Sequence, residues 1–154
     1  MISVRELAPR DREAWQTLYA GYGDFYKTPL GQEKADRVWA WLMDPGYEAF
    51  GLVAVDKDDR PIAIGHYRQF ARLLADGLGL YLDDLFTAPA ARGTGAATAI
   101  ISRLEEIARD RGAELVRWIT AADNFVGQKL YDRLATRTMW ITYDLQVAAT
   151  TGGA

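Results

Sequence analysis

The chain has 154 residues, a length that suits one domain with a real hydrophobic core and needs no covalent staples. It contains no cysteine and a single histidine, which excludes a disulfide framework, a thiol nucleophile and thiolate metal sites, and no metal is expected. The formal charge of -3 argues against general nucleic-acid binding, because neutralising phosphates requires a basic face.

Residues 2–7 alternate well enough for a first strand, which Pro9 ends. Trp15, Leu18, Tyr19 and Tyr22 recur at helical spacing and predict a helix over about residues 10–20, stopped near Gly21 and Gly23. The following aromatics, Tyr22, Phe25 and Tyr26, stand among glycines and read as a loop. Such rings either line a pocket, with Tyr22 and Tyr26 as candidate walls for a substrate, or plug the core beneath a bent connection. A second helix is expected over residues 31–44, with Val38, Trp41 and Leu42 on one side and Pro45-Gly46 closing it.

Two strands follow, residues 48–55 and 61–70, joined at the turn signal Asp56-Lys57-Asp58-Asp59. His66 falls in the second and is read as a strand residue satisfied by a neighbour, with no catalytic constellation beside it. Leu78, Leu80 and Leu82 alternate in a third, central strand that carries Asp83 and Asp84 before Leu85-Phe86 resumes the apolar run. In a regular strand those two carboxylates point to opposite faces. Arg92-Gly93-Thr94-Gly95 then opens a helix whose apolar positions, Ala97, Ile100, Ile101, Leu104, Ile107 and Ala108, follow three-and-four spacing. A strand over residues 114–120, a helix capped by Asp123 or Asn124, and a last strand over residues 140–145 complete the order β-α-α-β-β-β-α-β-α-β. That order implies a mixed α/β sheet flanked by helices, parallel around the central helix. One domain over residues 1–146 and a disordered tail over residues 147–154 are expected. No stretch is long and apolar enough to span a membrane, and the first residues lack the order of a signal peptide, so a cytoplasmic protein is expected.

The glycines before the central helix admit several explanations. A dinucleotide fingerprint fails because Thr98 stands at the third glycine and Glu114 opens the next strand instead of ending it. A nucleotide-triphosphate loop fails because Ala96-Ala97 stands where Lys-Ser/Thr is required. What remains is a backbone cradle for a pyrophosphate at a helix start, with Arg92 adjacent, or a tight turn and nothing more.

Residues 92–97, Arg-Gly-Thr-Gly-Ala-Ala, resemble the R/Q-x-x-G-x-G/A coenzyme A loop of the GCN5-related N-acetyltransferase (GNAT) family. The preceding Tyr81-Leu82-Asp83-Asp84-Leu85-Phe86 and the spacing from Asn124 to Tyr131 extend the match over nearly the whole chain, closest to the polyamine, diamine, small histone and D-amino-acid N-acetyltransferase branch. The resemblance implies a twisted mixed sheet of about six to seven strands with about four helices. It implies acetyl-CoA as cosubstrate. Leu85, Phe86 and Thr87 then offer backbone groups to the pantetheine arm. Arg92, Gly93, Thr94, Gly95, Ala96, Ala97 and Thr98 hold the pyrophosphate, and Asn124 binds the pantetheine. Tyr131 is the implied general acid and Asp83 the implied base, at a position where Glu is usual, so that Asp83 has one methylene less reach. Transfer to an amine needs a deprotonated nucleophile and a proton donor for the departing thiolate, roles these residue types fit. Thr87 and Met139-Trp140 depart from the family pattern. The implied function is acetyl transfer, in a ternary complex, to a small primary amine: a polyamine, a diamine or an amino acid. A homodimer is a family expectation. The alternative within the fold is a non-catalytic acetyl-CoA sensor, and outside it a domain binding another nucleotide.

Overall fold

The computed structural model describes residues 1–149, which separate into two compact units, Met1–Ala121 and the chain from Ala122 on. In the first, five strands form one mixed sheet in sequence order: β1 (Ser3–Glu6), β2 (Phe50–Val55), β3 (Pro61–Arg72), β4 (Gly77–Thr87) and β5 (Ala113–Arg117). The first four pair antiparallel, and β4 and β5 pair parallel. The crossover between them is α3 (Ala96–Asp110), because a parallel pair cannot be joined by a tight turn. This is the expected α/β architecture with its parallel portion around the central helix, on fewer strands than expected.

Strand alternation splits the core in two. Ile64 and Phe86 face α1 (Arg12–Phe25) and α2 (Gln32–Met43), where they pack with Trp15, Leu18, Ala35, Trp39, Val53 and Val55. Gly65 faces α3, and a Cβ there would lie 2.8 Å from Ile100 Cγ2, so the sheet and this helix approach closely. Ile100 and Leu104 are fully buried on that side. The apolar stripe predicted for α3 holds, except that Ala96 is buried in place of Ala97. On α2 the core aromatic is Trp39, while Trp41 is 41% exposed and stacks on Tyr47.

The first helix does not stop at the glycines. It runs on to Phe25, and Gly21 is where it closes on β4: a Cβ there would lie 2.7 Å from the Phe86 ring. The expected Tyr22 loop is therefore helix, and its glycine is a packing site, not a terminator. Before α1, the buried Asp11 accepts from Arg5 at 2.7 and 2.9 Å and from the Ala8 N–H at 2.8 Å, which ties β1 to the helix start.

In the second unit, α4 (Phe125–Leu134) is the regular element. Residues 140–145 form no strand: they carry no ladder partner, and Trp140, Ile141, Tyr143 and Leu145 are exposed. An alternating pattern makes a strand only when a neighbour accepts its backbone groups. Of the expected tail, residues 147–149 have no regular structure and residues 150–154 lie outside the described residues. No helix among the described residues is long and apolar enough to cross a membrane.

Candidate active site

The middle of β4 is irregular. His66 pairs with Asp84 and the next residue, Tyr67, with Leu82, so Asp83 is an extra residue bulged out of the ladder. Its consequence corrects the expectation of opposed carboxylates. His66 and Arg68, two apart on β3, share a face; His66 Nδ1 meets Asp84 Oδ2 at 2.8 Å, and Arg68 Nε meets Asp83 at 3.1 and 3.2 Å. Both carboxylates therefore stand on the α1 side of the sheet. Burial raises the Asp83 pKa above the ordinary carboxylate value, with the Arg68 charge opposing. The Arg68 guanidinium is itself held 4.5 Å over the Tyr81 ring.

Against this face α1 sets a row of tyrosines. Tyr22 donates its hydroxyl to the Asp83 carbonyl at 3.4 Å, and the Tyr19 and Tyr22 rings stack at 6.1 Å. The Asp84 carboxylate is an electrostatic neighbour of both hydroxyls. Burial, reinforced by that carboxylate, pushes the Tyr19 phenol up to about 12 and the Tyr22 phenol higher still. Tyr22 thus joins the core to the Asp83 backbone, while Tyr26, just past the helix end, meets Tyr22 edge-on at 5.0 Å. His66 is satisfied twice over, since the Trp15 indole donates to its Nε2 at 2.8 Å. A constellation beside His66 is therefore present after all. Sequence reasoning missed Trp15, Tyr19, Arg68 and Asp84 as members; the shared β3 face of His66 and Arg68 was readable, but the bulge was not.

Downstream of the bulge, β4 loses its neighbour on one side. Its pairing with β5 ends at Tyr81↔Arg117, so residues 82–87, including Leu85, Phe86 and Thr87, have no strand on that edge among the described residues. The Phe86 side chain is buried in the core, which leaves its backbone as the part a ligand can meet. The chain then turns through Pro89–Ala91, where Thr94 Oγ1 ties back to the Ala91 carbonyl at 2.6 Å. Gly93 and Gly95 adopt φ of 77° and 90°, conformations costly for a residue with a Cβ. Gly95 is the N-cap of α3 and offers no side-chain acceptor, so the first-turn N–H groups of Ala96, Ala97 and Thr98 lack both a cap and an i−4 partner. Arg92 stands beside them with its guanidinium 5.8 Å from the Phe86 ring. Unpaired amides, the positive end of a helix and an arginine together form a place for an anion.

In the second unit Asn124 is the N-cap of α4, its Oδ1 accepting the Gly127 N–H at 3.2 Å, as one of the two expected caps. Tyr131 lies within the same helix, and its carbonyl closes the last turn by accepting from the Ala135 N–H at 2.8 Å.

Solved structures with this fold include acetyltransferases. A probable acetyltransferase superposes with a TM-score of 0.84 at 21% identity, over 95% of this chain and 98% of that one. The ribosomal-protein-alanine N-acetyltransferase of Brucella melitensis biovar Abortus 2308 gives 0.81 at 21% identity, over 96% and 100%. The fold class is thus that of the GNAT acetyltransferases. In sequence, the chain is 29% identical over 143 residues to the D-amino-acid N-acetyltransferase HPA3 of Saccharomyces cerevisiae, covering 92% of this chain and 89% of that protein. A sequence model of the acetyltransferase (GNAT) family matches residues 15–135. The chain belongs to that family and is an N-acetyltransferase.

Proposed function

We propose that this protein transfers the acetyl group of acetyl-CoA directly to the primary amine of a small molecule, a polyamine, diamine or amino acid. The observation that carries the reading is the start of α3, where Gly93 and Gly95 in left-handed conformations present free first-turn amides beside Arg92. That arrangement suits a pyrophosphate, and the unpaired edge of residues 82–87 suits an extended arm that bonds to backbone. Residues 85–87 and 92–98 are the proposed coenzyme A contacts in the first unit. Asn124 as a pantetheine contact and Tyr131 as proton donor rest on the Asn-to-Tyr spacing in the sequence.

Bound acetyl-CoA supplies an activated thioester. Asp83, with its raised pKa, takes a proton from the acceptor ammonium, directly or through water, and frees the nitrogen lone pair. The nitrogen forms the new bond to the acetyl carbon and loses its second proton to water. The carbon–sulfur bond breaks with its electron pair on sulfur, Tyr131 protonates that sulfur, and the Tyr131 phenolate regains a proton from water. Tyr22 and Tyr26 border the acceptor. A cationic acceptor is supported by the two carboxylates on the α1 face, and an amino acid by the name of the yeast relative.

A thermal-shift panel tests the cosubstrate. Acetyl-CoA at a hundredfold excess over its Kd should raise Tm by about 5 °C or more, with ATP and NAD inert. Stabilisation by ATP or NAD and none by acetyl-CoA would overturn the reading.

A further inference from the structure

The transfer chemistry uses neither Trp15 nor His66, although both are buried and linked to Asp84. An indole nitrogen can only donate, so the atom that receives it at 2.8 Å, His66 Nε2, presents a lone pair. Hydrogen-bond logic then places the imidazole proton on Nδ1, which donates to Asp84 Oδ2 at 2.8 Å. The groups facing Asp84 are Asp83 beside it, Arg68 along β3, and Tyr19 and Tyr22 from α1. Arg68 is engaged with Asp83, and among the described residues no lysine or arginine pairs with Asp84. Its side chain is 20% exposed, so the carboxylate stays within reach of a ligand.

We propose that His66 is a positioning residue for acceptor recognition: clamped by Trp15 as its Nδ1–H tautomer, it fixes Asp84 so that this carboxylate receives the acceptor's ammonium group beside Tyr19 and Tyr22. The inference deepens the proposed acetylation of small amines and rests on it for the nature of the ligand. Two adjacent carboxylates thereby have different tasks. Asp84, oriented from below, holds the positive charge, and Asp83, balanced by Arg68, accepts the proton.

His66 is the sole histidine of the chain, so its imidazole nitrogens can be read by 15N NMR without assignment. In the wild-type protein at neutral pH, with no acetyl-CoA present, the spectrum should show the Nδ1–H tautomer. Adding putrescine, spermidine or an amino acid should then shift it, and the same addition to Asp84→Asn should not. In acetyl-transfer assays His66→Leu should raise the amine KM about tenfold, as expected when a hydrogen bond to a charged group is lost, and leave kcat and acetyl-CoA affinity within about twofold. His66→Asn, whose amide nitrogen overlies Nδ1, should restore most of that loss. Should His66→Leu fail to fold, the wild-type tautomer and the His66→Asn kinetics decide. An Nε2–H tautomer, a His66→Leu variant with unchanged amine KM, or equal weakening toward amine and acetyl-CoA would overturn the proposal. A wild-type protein that shows the tautomer and the amine-induced shift yet acetylates no amine would support it, and would sink the transfer reading instead.

Discussion

Replacing Gly95 by alanine isolates the backbone geometry on which the start of α3 depends. Gly95 has φ of 90°, and a Cβ built there meets nothing within 4 Å, so crowding contributes no cost. The whole penalty is conformational, about 1–2 kcal/mol for an L-residue held in the left-handed region. In a protein of this size that corresponds to a fall in Tm of about 2–8 °C. Gly31 provides the control: it too is a helix N-cap with open space around its Cβ, but its φ is -75°, so Gly31→Ala carries only the N-cap preference of glycine over alanine and should lower Tm less than Gly95→Ala. The second readout is acetyl-CoA affinity by calorimetry. If the Gly95→Ala backbone relaxes out of the left-handed region, the Ala96–Thr98 amides turn away, and affinity should fall about tenfold, the loss of one hydrogen bond to a charged group. A Gly95→Ala protein with unchanged Tm and unchanged acetyl-CoA affinity would refute the claim that this conformation builds the anion site.

Leu104 is fully buried between α3 and the sheet, so Leu104→Ala should destabilise by about 2–5 kcal/mol in denaturant titrations, and a smaller loss would mean the site collapses around the cavity. Burial raises the Asp11 pKa, but hydrogen bonds from Arg5 and the Ala8 N–H outweigh it and leave the group below its ordinary value. The stability from Asp11 is thus fully present above the unfolded carboxylate pKa of about 3.9 and lost as pH falls through the folded value. Acid titrations of wild type and Asp11→Asn should converge below that pH, and parallel curves would contradict the assignment. Tyr131→Phe should lower turnover markedly at nearly unchanged acetyl-CoA affinity, whereas unchanged turnover would remove the phenol from the acid role.

The parts of the fold set by local chemistry were legible in the sequence. The spacing of Ile100, Ile101, Leu104, Ile107 and Ala108 marked α3, and the glycines marked where it begins, because both signals act within a few residues. Gly21 misled for the opposite reason: its meaning lies in the Phe86 ring, 65 positions away in the chain, against which a Cβ would collide. The bulge at Asp83 is a property of two strands and no single-strand pattern encodes it, so the shared face of Asp83 and Asp84 emerged only from the register with His66 and Tyr67. The segment over residues 140–145 has the composition of a strand, but composition cannot provide the missing neighbour. Of the candidate site, the glycine turn at residues 92–95 was readable as a motif, while the contacts among Trp15, Tyr19, His66 and Asp84 depend on α1 crossing the sheet.

The most direct measurement is product identification. The purified protein is incubated with acetyl-CoA and, in turn, polyamines, diamines, L- and D-amino acids, aminoglycosides and basic peptides, with thiol release and mass spectrometry followed together. One of the first three classes should gain a single acetyl group in step with the thiol released. Acetyl-CoA bound but no amine acetylated in any class would contradict the account and leave a ligand sensor.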